Sequence, residues 1–274
     1  MGLVETFKSA FEEALRKANP QASAEELEQV SAELQRRIQE EPPPKIAIVG
    51  ETGVGKSSTL NALFNAGLPI SHTEASTKTD IELTVDLTRE GDQWPRLLVV
   101  YDMPGLGESI QADEENLEVY RRVIPEVDVF VWLLDAQNRA IRSVQERLSE
   151  DIAQIDSGLS KLVVALNKVD LVDPGERSWN ATFNVPGEEQ EENIRGREQD
   201  IRAKLQEVVP QWSGATIAYS AIRRYRLPTL FRTMVEAVPA QRQWLLGDRM
   251  NLADYEELVD AQALQAVKTM DEPA

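Results

Sequence analysis

Gly50-Glu51-Thr52-Gly53-Val54-Gly55-Lys56-Ser57 is the stretch of this sequence best equipped for chemistry. Its glycines let successive backbone N–H groups turn inward and wrap the oxygens of a phosphate. The residues that follow, Ser57–Asn65, read as a helix, whose N-terminal dipole end adds positive potential. Lys56 brings a point charge for the outer phosphates and Ser57 a hydroxyl for Mg²⁺, with Ser58 completing the turn. The pattern G-x-x-x-x-G-K-[ST] follows an apolar strand, Lys45–Val49, and precedes that helix, which is the context a phosphate loop requires. The loop alone does not choose a base.

Asn167-Lys168-Val169-Asp170 ends the apolar run Leu162–Leu166. Open α/β sheets bind ligands at the C-terminal ends of their strands. A carboxylate there can accept hydrogen bonds from N1–H and the exocyclic amine of guanine. Adenine has no such donor pair and would leave a buried Asp170 unpaired. Asn167 can tie strand to loop, and the Lys168 stem can cover a base face. Asp102-Met103-Pro104-Gly105 ends the run Leu97–Tyr101. Its carboxylate can hold Mg²⁺ through water, and the Gly105 N–H can meet a γ-phosphate. Ser220-Ala221-Ile222 follows the last strand and can offer a backbone N–H to the guanine O6.

Composition narrows the alternatives. The 274 residues contain no cysteine and one histidine, His72. Disulfide scaffolds, cysteine-ligated zinc, Fe–S clusters, thiol nucleophiles, catalytic triads and multi-histidine metal sites are set aside. His72 itself reads as a solvated loop residue. The 47 acids against 29 bases give a net charge of −18, which disfavours nucleic acid. No apolar run is long enough to span a membrane, and no secretory leader is visible, so a cytoplasmic location is expected.

The elements that must position these residues follow a regular grammar. Residues 1–41 read as two helices, with Leu3, Phe7 and Phe11 on one stripe and Leu27, Val30, Leu34 and Ile38 on another. Ser23 and Glu26 form a capping-box signature, and Pro42-Pro43-Pro44 marks a boundary. Between 45 and 237, continuous apolar runs alternate with helical stretches, which predicts a parallel sheet covered on both faces. Near Asp173–Arg195 the chain turns polar, with Pro174-Gly175 and the acidic stretch Gly187–Glu192, and this reads as a surface insertion leading into a helix over Asn193–Val208. From 238 to 274 the pattern is helical again, with Trp244, Leu245, Leu252, Tyr255, Val259, Leu264 and Val267 at apolar positions.

In this order, Gly50–Ser57, Asp102–Gly105, Asn167–Asp170 and Ser220–Ile222 resemble the signature elements of the P-loop GTPases. Within them the chain looks like the Era-like branch of the translation-factor-related class, with some likeness to immunity-related GTPases. The resemblance implies an α/β, Ras-like P-loop domain over 45–237, a mostly parallel sheet with helices on both faces, and helical extensions at both ends. It implies GTP and GDP as ligands, Mg²⁺ as cofactor, and hydrolysis to GDP and phosphate. The nucleotide set is then Gly50, Glu51, Thr52, Gly53, Val54, Gly55, Lys56, Ser57, Ser58, Gly105, Asn167, Lys168, Asp170, Ser220, Ala221 and Ile222. Mg²⁺ falls to Ser57, Thr77 and Asp102, and catalysis to Lys56 and Thr77. Thr77 is favoured over Thr79 as the switch threonine, because Thr77-Lys78 resembles the family's Thr-Arg pair.

Two positions depart from the family pattern. The residue after D-x-x-G is Leu106 where Ras-like enzymes carry a water-orienting glutamine. Glu108, the backbone, substrate or a partner chain must then position the water. Gly53 occupies the position where some Era-like members bind potassium through asparagine. Slow turnover stimulated by a second copy or a partner is expected, with a nucleotide-gated interaction switch as the alternative. The helical extensions are expected to pack together or on the domain, and otherwise to meet a protein partner. Membrane contact has thinner support: the first helix lacks a lysine-rich face, and Gly2 matches a short myristoylation pattern. RNA binding is disfavoured, since no basic appendage follows Pro239.

Overall fold

Valine, isoleucine and leucine dominate Lys45–Gly50 (β1), Leu97–Asp102 (β3), Val129–Asp135 (β4) and Leu162–Asn167 (β5). In the computed structural model these strands are buried along most of their length. Continuous apolar strands of this kind belong inside a parallel sheet, and they lie there. β1 pairs in parallel with β3 and β4, β4 with β5, and β5 with Thr216–Ala218 (β6). Ile81–Asp86 (β2) runs antiparallel to β3, and Ala266–Lys268 (β7) antiparallel to β2. The seven-stranded order is β6-β5-β4-β1-β3-β2-β7. The structure describes residues 40–68, 80–88, 96–106, 110–138, 160–246, 252–259 and 266–268, with isolated positions between 23 and 36.

The period of two along β1 sends its side chains to two cores. Ile46 and Ile48 pack with Leu60 and Phe64 of Lys56–Phe64 (α1) and with Phe231 of Leu227–Glu236 (α4). Ala47 and Val49 pack with Tyr120 of Ile110–Val123 (α2) and Ile194, Ile201 and Leu205 of Glu188–Val208 (α3). The expected two-faced α/β architecture is the one observed.

The C-terminal segment is helical in part, at Ala240–Gln243 and Leu252–Val259, and departs from the helical reading elsewhere. Trp244–Leu246 is a short 3₁₀ turn, Leu252–Val259 (α5) is helical, and Ala266–Lys268 is strand. Tyr255 and Val259 join the same core as α4, and the Phe231 ring meets Phe64 and Tyr255 edge-on at 5.6 and 5.9 Å. β7 then satisfies backbone groups of Leu83–Val85 on the β2 edge, a gain that a helix cannot offer there. The chain after 237 is thus partly built into the sheet and its core.

The acidic stretch 187–192 is also corrected. The helix expected from Asn193 begins earlier, at Glu188, with Gly187 at its N-cap. Glu188, Glu189 and Glu191 sit in the first turn, where the helix dipole favours negative charge. Ser23 and Glu26 exchange the expected capping hydrogen bonds, at 2.7 and 3.2 Å. Leu3, Phe7, Phe11, Leu27, Val30, Leu34, Ile38 and Gly2 lie outside the described residues.

Arg242 binds the two flanking segments together at the base of the sheet. Its guanidinium meets Glu41 at 2.6 Å, Asp128 at 2.9 Å and the Pro42 carbonyl at 2.9 Å. Asp128 in turn accepts the Lys45 N–H at 2.9 Å, where β1 starts.

Candidate functional site

Parallel strands share a direction, so their C-terminal ends rise together along one edge of the sheet. Gly50 closes β1, Asp102 closes β3, Asp135 closes β4 and Asn167 closes β5. Pairing sets Ile48 beside Asp102 and Asp135 beside Asn167. Register therefore gathers the separate sequence stretches into one site.

The loop from Gly50 to Ser57 is braced from both sides. Lys56 is buried and donates to the carbonyls of Gly50 at 3.0 Å and Glu51 at 3.1 Å. Thr52 N–H donates to the Leu106 carbonyl at 2.9 Å, and Leu106 N–H to the Gly50 carbonyl at 3.3 Å. A Cβ on Gly105 would lie 2.3 Å from Thr52 Oγ1, so only glycine lets the two loops touch. Gly55 has φ of 98°, and a Cβ there would lie 2.4 Å from Asn167 Nδ2. That approach is used: Asn167 Nδ2 donates to the Val54 carbonyl at 2.9 Å.

Ser57 Oγ donates to Asp102 Oδ2 at 2.8 Å, and both side chains are buried. A hydroxyl and a carboxylate side by side are hard oxygen donors of the kind Mg²⁺ takes together with phosphate and water. The donor set therefore fits the ion. Thr77, Thr79, His72 and Glu108 lie outside the described residues, so their places relative to this pair are not stated.

The other end of the site is built around Asn167 and Asp170. Asn167 Oδ1 accepts the Ala221 N–H at 3.0 Å, so one side chain clamps both the phosphate loop and the Ser220–Ile222 turn. Lys168 adopts φ of 65°, and its ammonium donates to the Gly53 carbonyl at 2.8 Å and to Asp135 at 2.7 Å. Its stem thereby lies across from β4 to the phosphate loop. Asp170 is 2% exposed, and its Oδ1 is buried with no hydrogen-bond partner among the described residues. Ser220 is buried, with its hydroxyl accepting the Arg223 N–H at 3.1 Å. Ile222 is 83% exposed, so its side chain reaches solvent. The hydroxyls of Thr59 and Tyr219 share a bond of 2.7 Å that pins α1 to the end of β6; burial pushes the Tyr219 hydroxyl above the usual phenol range.

Several residues of the site are absent from the motifs. Asp135 holds Lys168, and its place at a strand end is the signal that could have found it. Asn116 donates to the Gly105 carbonyl at 2.7 Å. Tyr120 donates to the Pro104 carbonyl at 2.9 Å and accepts the Gly50 N–H at 3.5 Å. Gln190, on α3, reaches the carbonyls around Asp170. No local pattern in the sequence marks these last three. Leu106 is 2% exposed and packs in the α2–α3 core.

A nucleotide phosphate loop, an oxygen pair suited to Mg²⁺ and a buried acceptor thus share one sheet edge. Residues 45–168 match the family described as 50S ribosome-binding GTPase. Residues 45–168 lie in a fold of the Ras-like P-loop GTPase type. The chain is 27% identical to the Escherichia coli (strain K12) protein YfjP over 199 residues, covering 72% of the chain and 63% of YfjP. It is 25% identical to the Mus musculus interferon-gamma-inducible GTPase 10 over 211 residues, covering 74% of the chain and 46% of that protein. Its fold is that of Aquifex aeolicus Era bound to GDP and aluminium fluoride, with a TM-score of 0.52 and 20% identity over 71% of this chain and 56% of that one. The Era-like character and the likeness to immunity-related GTPases, both expected from the motifs, are present. The chain spans less than two thirds of the length of both YfjP and the mouse relative.

Proposed function

We propose that this GTPase binds GTP with Mg²⁺ and hydrolyses it slowly to GDP and phosphate, with turnover raised by a second copy or another protein. The observation that carries the guanine reading is Asp170, whose buried Oδ1 has no partner among the described residues. A buried acceptor without a donor is costly, and the guanine N1–H and amine are the donors that relieve it. Lys56 and the amides of Gly50–Ser57 hold the β- and γ-phosphates, and the Lys168 stem covers the base. The backbone of Ser220–Ile222 meets O6. Ser57 and Asp102 hold Mg²⁺, with Thr77 as the switch residue. When bound, the ion neutralises charge on the β- and γ-phosphate oxygens.

The low rate follows from Leu106. A buried apolar side chain cannot orient an attacking water, and Leu106 is bonded through its backbone to both Gly50 and Thr52. The water must be placed by another group. Nucleotide competition tests the base assignment: GTP displaces a labelled nucleotide and ATP does not, and Asp170→Asn moves preference toward xanthine nucleotide. Competition by ATP as effective as by GTP would sink the reading. Turnover per molecule against protein concentration tests the stimulation, and a flat line excludes a second copy as its source.

A specific contact favours an interaction switch as the second reading. Arg224, two residues past the Ser220–Ile222 turn, donates to the carbonyls of Ala62 in α1 at 2.7 Å and Val259 in α5 at 2.6 Å. The base-side turn is thus bonded to the C-terminal helix. Under this reading α5 differs in hydrogen-exchange protection between GDP and GTP-analogue states; equal protection argues against it. A ribosomal role, which the family description suggests, meets the excess of 47 acids over 29 bases.

A further inference from the structure

Asp170 sits in a 3₁₀ turn, Val169–Leu171, that follows Lys168 in a left-handed conformation. Its carboxylate presents a buried oxygen with no donor among the described residues. Something must hold that turn so the oxygen stays aimed at the site. The backbone carbonyls of Val169, Asp170 and Val172 all point to a single amide. Gln190 Nε2 lies 3.4, 3.0 and 2.8 Å from them, and the side chain is 0% exposed.

Gln190 is the third residue of α3, the position from which glutamine ordinarily reaches back to cap its own helix. Here the N-cap is Gly187 and carries no side-chain cap hydrogen bond. The amide is directed instead into the turn that bears Asp170. Its own Oε1 is buried and has no hydrogen-bond partner among the described residues. The amide therefore serves the turn through its donor end alone, and its acceptor end stays unmet among the described residues. The geometry gathers three carbonyls of one turn, and that turn carries the base-reading carboxylate.

We infer that Gln190 is a positioning residue for guanine recognition: it fixes the turn Val169–Val172 so that Asp170 faces the base edge. The inference rests on the guanine reading of Asp170 and extends it to a residue on another element. Among the described residues the hydrogen bonds of Gln190 go to the turn Val169–Val172 and those of Lys56, Thr52 and Leu106 to the phosphate loop, so the two ends are expected to respond separately to its loss.

The test uses the full chain and two diphosphates, GDP and IDP, which differ only in the exocyclic amine. Wild type prefers GDP by about tenfold or more, the worth of one hydrogen bond to a carboxylate. Gln190→Met keeps the volume and removes both donors; Gln190→Asn keeps the donors and shortens their reach. The preference falls to about twofold or less in the Met variant and to an intermediate value in the Asn variant. Weak binding of pyrophosphate stays at the wild-type level in both. In an Asp170→Ala background, Gln190→Met lowers the GDP/IDP ratio no further, because Gln190 acts through Asp170. A wild-type preference that survives in both variants, whatever their melting temperatures, overturns the role of Gln190 alone. Equal binding of GDP and IDP by the wild type overturns the reading of Asp170 and this inference with it. If neither variant folds, Gln190 is a residue of the fold and the inference is overturned.

Discussion

Ser57 Oγ stands 2.8 Å from Asp102 Oδ2, although 45 residues separate them in the chain. One belongs to the first turn of α1 and the other to the last residue of β3. The parallel pairing of β1 with β3 makes this contact, since it sets Asp102 level with Ile48 just below the phosphate loop. The pair holds the loop and the D-x-x-G turn in mutual register.

Asp102→Asn should separate metal from nucleotide. The amide keeps the shape and loses the charge. GDP affinity measured with Mg²⁺ should fall about 10- to 100-fold, the usual effect of losing a supporting carboxylate at a metal site. Affinity measured in EDTA should stay close to wild type. An equal loss under both conditions would show that Asp102 serves the loop and not the ion.

Gly55→Ala should damage binding and stability together. The new Cβ would press on Asn167 Nδ2, and φ of 98° is unfavourable for alanine. Unfolding free energy should drop by about 1–3 kcal/mol, the range for strained backbone. Because Asn167 also holds Ala221, GDP should bind more weakly as well. Denaturant titration and nucleotide titration of one preparation check both. A melting curve equal to wild type would contradict the close contact.

Leu106→Gln should not restore fast hydrolysis. Leu106 is packed in the apolar core against α2 and α3, so the amide would be buried rather than offered to water. Stability should fall by about 1–3 kcal/mol for an unmet polar group, with no gain in kcat. A rise in single-turnover rate would show that the position can turn outward.

Glu198 predicts a pH effect remote from catalysis. Burial raises its carboxyl above the usual value, against the opposing pull of the Ala218 N–H and Arg226. The folded chain then holds this proton more tightly than the unfolded chain does. The group's contribution is fully present below the unfolded value of 4.5 and is lost as pH rises through the higher folded value. Glu198→Gln keeps an oxygen for the Ala218 N–H without charge. It should melt higher than wild type at about pH 7 and show no such advantage near pH 4. An equal difference at both pH values would rule out ionisation as the cause.

The local geometry of this candidate site was readable from sequence. Gly55, Lys56 and Ser57 lie in a turn and the helix that follows it, and both leave marks within a few residues. Strand ends were readable for a related reason: continuous apolar runs at Lys45–Val49 and Leu162–Leu166 stop where polar residues start. Asn167 was expected to tie strand to loop; that it clamps two loops at once depends on how close Gly55 approaches, which only packing decides. Gln190 was hidden because it sits in an acidic stretch that looks solvated, while helix phase turns that one residue inward. The Ala266–Lys268 strand was hidden because three residues are too few for any period, and its partner Leu83–Val85 is remote in sequence.

β7 has a consequence for solubility. β2 would otherwise bound the sheet with six residues of exposed hydrogen-bonding edge, a template on which another chain could stack. The three-residue β7 covers Leu83–Val85 and leaves a shorter rim in its place. A chain ending at Val259 would keep its phosphate loop, the turn bearing Asp170 and the packing of α5, yet would carry an open β edge, and its failure in the test tube would be aggregation before loss of nucleotide binding.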